Sequence, residues 1–135
     1  MMNVFIVDDE RLARAGIRRL LKDVTELEII GEAENIEDAE KFILNNSVDL
    51  MLLDVCMPGG DGFELLEKLT RLPQLTIPQV IFTTAFDMYN SHASAANALA
   101  YLVKPIQREK LLAAIQCGLE RNKVVSKKHC SIEIS

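Results

Sequence analysis

The chain has 135 residues, of which 49% are hydrophobic, and this composition suits one globular domain with a buried core. Its formal net charge is −5, but residues 1–103 hold 8 basic against 17 acidic residues, whereas residues 104–135 hold 7 against 3. The acidic body argues against nucleic-acid binding, and no apolar run is long enough to span a membrane. Three widely spaced cysteines offer neither a disulfide framework nor a zinc site, so a reducing, cytoplasmic location is expected.

Short apolar runs alternate with amphipathic stretches along the first half of the chain. Consecutive apolar residues predict three strands, at residues 4–7, 28–33 and 49–54. Apolar residues at helical spacing predict three helices, at residues 10–22, 36–43 and 62–71. Leu12 is assigned to the apolar stripe of the first helix, Asn35 is predicted to cap the second, and Phe63 is expected to point inward from the third.

The second half continues the alternation. Two strands are predicted, at residues 79–83 and 99–103, and two helices, at residues 87–97 and 107–121. Residues 122–135 carry no helical stripe and are predicted to be a linker or tail, with a fragment of strand at Ile132 and Ile134. The folded domain is therefore expected to cover residues 1–121.

Five strands that alternate with five helices predict an α/β fold, in which a five-stranded parallel sheet has helices on both faces. The apolar strands are continuous rather than alternating, as expected for strands that are buried on both faces. Ligands of such open sheets bind beyond the carboxyl ends of the strands. The functional residues are therefore sought at those ends.

Acidic residues follow the first predicted strand, where Asp8, Asp9 and Glu10 stand in a row, and Asp54 ends the third strand. Taken singly, Asp8 and Asp9 could cap the first helix, and Asp54 could be a turn residue. Taken together, carboxylates on neighbouring strands would raise one another's pKa unless a cation joined them. Hard oxygen ligands with room for water and phosphate suit Mg²⁺.

A hydroxyl pair, Thr83 and Thr84, ends the fourth predicted strand, and Lys104 follows the fifth. A lysine and a hydroxyl on the other side of the crevice can bind an oxyanion. A carboxylate nucleophile, a divalent cation, a lysine and a hydroxyl together make up a phosphoryl-transfer site.

Four segments in this order and spacing, IVDDE, LLDVCMPGGDG, FTTA and YLVKP, resemble the receiver domain of bacterial two-component response regulators, the CheY-like family. The resemblance runs from about Asn3 to Arg121, and it implies a flavodoxin-like (βα)5 fold with strand order 2-1-3-4-5. Two further segments, ERLARAGIRRLL and TTAFDMYN, are most similar to receivers of the LytR/AlgR class.

The resemblance gives the acidic residues their expected roles. Asp54 matches the phosphoacceptor, which takes a phosphoryl group from a partner histidine kinase and also belongs to the metal site. Asp9 matches a direct Mg²⁺ ligand, Asp8 its neighbour acting through water, and the backbone carbonyl of Cys56 a further protein ligand. A receiver of this kind is not an enzyme beyond its own phosphorylation and dephosphorylation.

The remaining matches concern the switch. Thr84 matches the hydroxyl that moves onto the phosphoryl oxygen, and Lys104 matches the lysine that pairs with the phosphate. Tyr101 matches the aromatic residue whose rotamer follows this change, and the bond before Pro105 is often cis in the family. The surface formed by the fourth helix, fifth strand and fifth helix is expected to transmit the change.

Three positions depart from the family pattern. Gly60 stands where a bulky apolar residue is common, and its role is not explained by the sequence. Cys56 and Phe86 occupy positions whose side chains influence the attack of water on the phosphoaspartate. Because neither carries an amide or carboxylate to orient water, slow self-dephosphorylation is expected.

Three other functions remain open from the residues. A Mg²⁺-dependent aspartyl-phosphate phosphohydrolase uses similar groups, but haloacid-dehalogenase-type phosphatases have a second Asp two residues after the nucleophile, where this chain has Cys56. A flavodoxin-like flavin binder would need a Ser/Thr/Gly-rich loop after the first strand, where this chain has DDERLA. A receiver that serves only as a scaffold would be expected to lack part of the acidic, hydroxyl and lysine set.

LytR/AlgR-class receivers usually precede a DNA-binding output domain, and the 135 residues contain no pattern for one. The chain is therefore expected to belong to a longer regulator that contacts DNA only through that domain. A stand-alone receiver that acts by protein contacts is the alternative. The resemblance also implies a homodimer that forms on phosphorylation, and no contact with membranes is expected.

Overall fold

The computed structural model describes residues 1–85 and 98–132, with side chains in the second range as far as Lys123. The strands are β1 (Met2–Val7), β2 (Leu27–Ala33), β3 (Leu50–Asp54), β4 (Cys56–Met57), β5 (Gly60–Asp61), β6 (Gln79–Thr84) and β7 (Ala100–Val103). The helices are α1 (Arg11–Leu21), α2 (Ile36–Asn45), α3 (Gly62–Thr70) and α4 (Arg108–Ile132). The predicted helix at residues 87–97 lies outside the described residues.

Five strands form one parallel sheet in the order β2-β1-β3-β6-β7, which is the predicted order 2-1-3-4-5 of the five long strands. The predicted α/β fold class is confirmed. Every residue of β3 is buried, because this strand lies at the centre of the sheet with helices on both faces. The two-residue strands β4 and β5 form a separate antiparallel pair, which was not predicted.

Helices cover both faces of the sheet and divide the core in two. The core between the sheet, α1 and α4 includes Ile6, Ile17, Leu21, Leu52, Leu102 and Leu111. The core between the sheet, α2 and α3 includes Phe5, Val7, Ile43, Leu53, Leu65 and Phe82. Since side chains alternate along a strand, the residue after Val7 lies on the same face as Ile6. That residue is Asp8, at the end of β1 nearest the candidate site.

Local hydrogen bonds explain where two helices begin. The N–H of Asp38 donates to Oδ1 of Asn35 at 2.7 Å, so the predicted cap of α2 is confirmed. The N–H of Glu64 donates to Oδ1 of Asp61 at 2.9 Å, and this bond caps α3 directly after the β4–β5 pair.

Leu12 is 81% exposed, so its assignment to the inner stripe of α1 is wrong. Ile17 and Leu21 are the buried pair of α1, four residues apart on one face. Leu12 precedes Ile17 by five residues, which at 3.6 residues per turn turns its side chain by about 140° from that face. Apolar character alone does not show whether a residue of the helix faces the sheet, as Ile17 does, or solvent, as Leu12 does.

The last helix is longer than predicted, since α4 continues to Ile132 instead of ending near residue 121. The chain has neither Gly nor Pro between Leu119 and Ile132, so no residue with a strong preference against helix interrupts it. The strand expected at Ile132 is therefore wrong, and Ile134 lies outside the described residues. The domain boundary at residue 121 stays a prediction. Among the described residues, no helix has the length and apolar character that crossing a membrane requires.

Candidate functional site

The polar residues of the site lie at the carboxyl ends of β1, β3, β6 and β7, at one edge of the sheet. Backbone hydrogen bonds just beyond β1 and β7 extend the pairing between strands by one residue and fix these ends. The N–H of Asp8 donates to the carbonyl of Ala33 at 3.0 Å, and the N–H of Lys104 donates to the carbonyl of Thr84 at 2.7 Å. Asp54 is itself the last residue of β3 and pairs in register with Thr83. The strand ends therefore hold Asp8, Asp54 and Lys104 on rigid backbone.

The ammonium group of Lys104 lies between the carboxylates of two strands. Its Nζ atom is 2.8 Å from Oδ2 of Asp8 and 3.3 Å from Oδ2 of Asp54. Oε1 of Glu10 lies 3.5 Å from the same nitrogen. The structure thus brings together three residues that the sequence predicted to meet, and it adds Glu10.

Burial and neighbouring charges change the pKa values of Asp54 and Lys104. Asp54 is only 4% exposed, and burial together with the negative charge of Asp8 raises its pKa to about 6, although Lys104 acts in the opposite direction. Burial disfavours the charged form of Lys104, but the two carboxylates outweigh burial and raise the pKa of the lysine. At neutral pH the site therefore contains an ammonium group and a carboxylate whose proton affinity is unusually high.

A cluster of three acidic residues lies beside Lys104. The carboxylate oxygens of Asp8, Asp9 and Glu10 lie within 4.8 Å of one another. Asp8 is buried, Asp9 is half-buried and Glu10 is exposed, so the cluster runs from the core to the surface. Hard oxygen donors with an open side are what Mg²⁺ requires, and the donor set therefore fits this ion.

The segment after Asp54 turns back sharply. The N–H of Cys56 donates to Oδ1 of Asp54 at 3.3 Å, so this backbone lies against the carboxylate. Gly60 pairs with Met57 across the β4–β5 hairpin. Gly60 has a φ of +158°, which residues with a side chain rarely adopt, and an added Cβ atom would lie 2.7 Å from Cδ1 of Ile36 and 2.8 Å from Oε2 of Glu64. The backbone conformation and this close approach account for the glycine that the sequence left unexplained.

The predicted switch residues lie on β6 and β7. Thr84 is fully buried at the end of β6, and Tyr101 is half-buried in β7, in contact with the core under α2 and α3. Thr83 is also buried, and within the described residues its Oγ1 atom has no hydrogen-bond partner. The Lys104–Pro105 peptide bond is cis. Phe86 lies outside the described residues.

Two residues near the site were given no role from the sequence. Glu10 was noted only as the acidic residue after Asp8 and Asp9, although its carboxylate lies 3.5 Å from Nζ of Lys104. Arg14 had no such signal, since an arginine on an amphipathic helix is normally a surface residue. Its Nη1 atom nevertheless donates to the backbone carbonyl of Asp8 at 2.6 Å.

Fold and site together define a receiver domain of two-component signalling. The chain belongs to this family, because the profile described as "Response regulator receiver domain" matches residues 4–116. The predicted family is confirmed. Receiver domains in general are switched by phosphorylation and interact with histidine kinases. They are not classical enzymes.

Individual relatives agree with this assignment. The chain is 39% identical over 127 residues to the sensory transduction protein LytT of Bacillus subtilis, covering 94% of this chain and 50% of that protein. LytT of Bacillus anthracis is 36% identical over 116 residues, covering 86% of this chain and 46% of that protein. These names are consistent with the predicted LytR class. The chain spans about half the length of the curated relatives it matches.

A solved structure gives the same picture of the fold. The REC domain of AraT, a response regulator from Geobacillus stearothermophilus, superposes with a TM-score of 0.80 at 30% sequence identity. The match covers 93% of this chain and 98% of that domain.

Proposed function

We propose that Asp54 accepts a phosphoryl group from the phosphohistidine of a histidine kinase, and that this event switches the domain. The observation that carries the proposal is the position of the Lys104 ammonium group between Asp8 and Asp54 at the carboxyl ends of the strands. A surface lysine would not be expected to lie against two buried carboxylates from distant parts of the chain. The arrangement combines a nucleophile with a fixed positive charge.

Asp54 is suited to act as the nucleophile. Its pKa of about 6 is low enough for the carboxyl group to be mainly ionised at neutral pH. Because this pKa is above the ordinary value, the carboxylate is also more basic than that of an exposed aspartate. The N–H of Cys56 contacts one carboxylate oxygen and Lys104 contacts the other, so the group is held in one orientation. An oxygen of Asp54 forms a bond to phosphorus as the P–N bond of the donor breaks, and the histidine nitrogen keeps that electron pair. The product is an aspartyl phosphate.

The acidic residues would hold Mg²⁺ during this transfer. Asp8, Asp9 and Asp54, with the backbone carbonyl of Cys56, are the proposed ligands. The carboxylate oxygens of Asp8 and Asp9 lie within 4.8 Å of each other and of Glu10, and such hard oxygen donors suit Mg²⁺. When bound, Mg²⁺ supplies positive charge that offsets the charge on the phosphoryl oxygens. Lys104 supplies a second positive charge from the protein itself, so the two negative partners can approach.

The switch would follow from the charge that the phosphoryl group adds. Thr84 would turn its hydroxyl towards a phosphoryl oxygen while Lys104 pairs with the phosphate. The space left by Thr84 would let Tyr101 change its rotamer. We expect the surface that includes β7 and α4 to report this change to a partner.

The product should be long-lived. Cys56 and Phe86 are expected to influence the attack of water on the phosphoaspartate, and neither orients water. The double variant Cys56→Asn, Phe86→Glu should therefore lose its phosphoryl group faster after loading with acetyl phosphate. An unchanged decay rate would contradict this part of the proposal.

The whole regulator is proposed from the relatives. Since the chain spans about half of the LytT proteins, we propose that a DNA-binding output domain completes it and that it acts in the bacterial cytoplasm. Phosphorylation is proposed to drive formation of a homodimer. Analytical ultracentrifugation with beryllofluoride and Mg²⁺ should then give a larger mass than without them, and one unchanged mass would count against the dimer.

Intact-mass spectrometry after incubation with acetyl phosphate and Mg²⁺ tests the transfer. The unmodified chain should gain the mass of one phosphoryl group, and Asp54→Asn should gain none. Asp61→Asn is the matched control, because asparagine keeps the cap of α3 while removing a carboxylate close to Asp54 in sequence. The control should be phosphorylated normally, and chelation of Mg²⁺ with EDTA should abolish the gain.

A further inference from the structure

We infer that Arg14 is a positioning residue for the Mg²⁺ site, because it holds the peptide group that joins Asp8 to Asp9. The inference rests on the proposed function, in which Asp9 binds Mg²⁺. Arg14 touches neither the phosphoryl group nor the ion in this proposal. It acts through the backbone carbonyl of Asp8.

The contacts of Arg14 fix its guanidinium group on two sides. Nη1 donates to the carbonyl of Asp8 at 2.6 Å, and Nε donates to Oε1 of Glu32 at 2.7 Å. The guanidinium group is planar, so two bonds from different nitrogens set both its position and its plane. The side chain is only 13% exposed, which is unusual for an arginine on a helix at the surface.

Glu32 on β2 keeps Arg14 in this position. Its second carboxylate oxygen, Oε2, accepts from Nε of Arg18, one turn further along α1. Burial raises the pKa of Glu32, but the two guanidinium groups outweigh burial and lower it, so the carboxylate is charged at neutral pH. Arg18 is 46% exposed and, in the described part of the chain, makes no hydrogen bond to the Asp8 carbonyl, so it offers a natural control.

The other polar atoms of Asp8 are already engaged. Its N–H donates to Ala33, Oδ1 accepts from the N–H of Glu10, and Oδ2 accepts from Lys104. The carbonyl is the remaining polar atom, and its direction sets the plane of the peptide that leads into Asp9. The bond from Arg14 therefore opposes rotation of that peptide and, with it, movement of Asp9.

The hydrogen bond from Arg14 to the Asp8 carbonyl also holds the start of α1. Glu10 is the N-cap residue and makes no side-chain cap hydrogen bond, and the first turn of α1 carries no acidic residue. The contact from Arg14 to Asp8 therefore ties the first turn of the helix to the loop that precedes it. Without it, the loop that carries Asp9 is held at this end by fewer bonds.

Charge and position predict opposite effects, which makes the inference testable. Arg14 is a cation beside an acidic cluster, so removing it should strengthen binding of a divalent cation if only charge matters. If Arg14 positions the Asp8–Asp9 peptide, removing it should weaken binding instead. Residues that hold metal ligands in place typically change metal affinity by about tenfold or more when removed.

The test is a titration of the 135-residue chain with MgCl₂ at constant ionic strength, followed by amide chemical shifts in the NMR spectrum. Arg14→Ala should raise the dissociation constant of Mg²⁺ by about tenfold, whereas Arg18→Ala should leave it within about twofold or lower it. Arg14→Lys keeps the charge but lacks the planar fork, so its dissociation constant should lie between those of Arg14→Ala and the unmodified chain. Thermal unfolding in EDTA shows whether each variant is folded.

Three results would be decisive. Binding by Arg14→Ala that equals or exceeds binding by the unmodified chain would overturn the role of Arg14. If Arg14→Ala does not fold, the Mg²⁺ affinity of Arg14→Lys is the test. An affinity of Arg14→Lys equal to that of the unmodified chain would also overturn the role of Arg14. Absence of Mg²⁺ binding by the unmodified chain would instead overturn the proposed function, so the two failures are distinguishable.

Discussion

Replacing Asp54 with asparagine should stabilise the metal-free protein, because the folded state raises the pKa of this carboxyl from its ordinary value of 3.8 to about 6. Below about pH 4 the carboxyl is protonated in both the folded and the unfolded chain, and it costs nothing. Between about pH 4 and pH 6 the folded chain binds more protons, so the free energy of unfolding falls as the pH rises. Above about pH 6 the full cost is present. It corresponds to about 3 kcal/mol, and an observed gain of about 1–3 kcal/mol is expected.

Thermal unfolding in EDTA, measured from pH 4 to pH 8, tests this prediction. At about 3–4 °C per kcal/mol for a chain of this length, Asp54→Asn should raise the Tm by about 3–10 °C at pH 8. The difference should vanish towards pH 4, where Asn and protonated Asp are alike. At pH 8, Mg²⁺ should reduce the difference in Tm, because the ion should bind the unmodified chain more tightly than Asp54→Asn and therefore stabilise it more.

Asp23→Asn is the control, since Asp23 is an exposed carboxylate in the turn after α1. Its Tm should follow that of the unmodified chain at every pH. A Tm for Asp54→Asn at pH 8 that is equal to or below that of the unmodified chain would refute the reasoning. It would mean that the attraction of Lys104 outweighs both burial and the charge of Asp8.

Three further predictions follow from single observations. Phosphorylation by acetyl phosphate at low Mg²⁺ should slow as the pH falls through about 6, because protonated Asp54 cannot attack; a rate independent of pH between 5 and about 7 would contradict this. Thr83→Val should be neutral or stabilise the protein by up to about 1 kcal/mol in urea unfolding, because its buried hydroxyl has no partner among the described residues, whereas a clear loss would reveal one. Gly60→Leu should destabilise the protein by about 1–3 kcal/mol in the same assay, because of the positive φ at this position and the contact with Ile36, and an unchanged free energy of unfolding would contradict this.

The sheet was predictable because its strands are continuous apolar runs with clear ends. The third strand runs into a Pro- and Gly-rich segment, and the fourth follows Pro78, so their bounds were nearly correct. The residues just beyond the strands could then be assigned to one edge, because all carboxyl ends of a parallel sheet meet there. The strand order came from the resemblance to receivers and not from any single residue.

The remaining features depend on contacts that no local pattern contains. Arg14 was not identified, since its partner is a backbone carbonyl and any residue would supply the same group at that position. Gly60 could not be explained from the sequence, because its φ of +158° and its close approach to Ile36 depend on the fold. The continuation of α4 to Ile132 was missed because a helix that does not present an apolar stripe leaves no periodic signal.

The account depends most on which residue is phosphorylated. After incubation with acetyl phosphate and Mg²⁺, borohydride reduction converts a phosphoaspartate into homoserine, which tandem mass spectrometry locates in the sequence. We predict homoserine at position 54 and at no other aspartate. Homoserine at position 8 or 9, or none at all from a folded chain that binds Mg²⁺, would contradict the proposal that Asp54 is the phosphoacceptor.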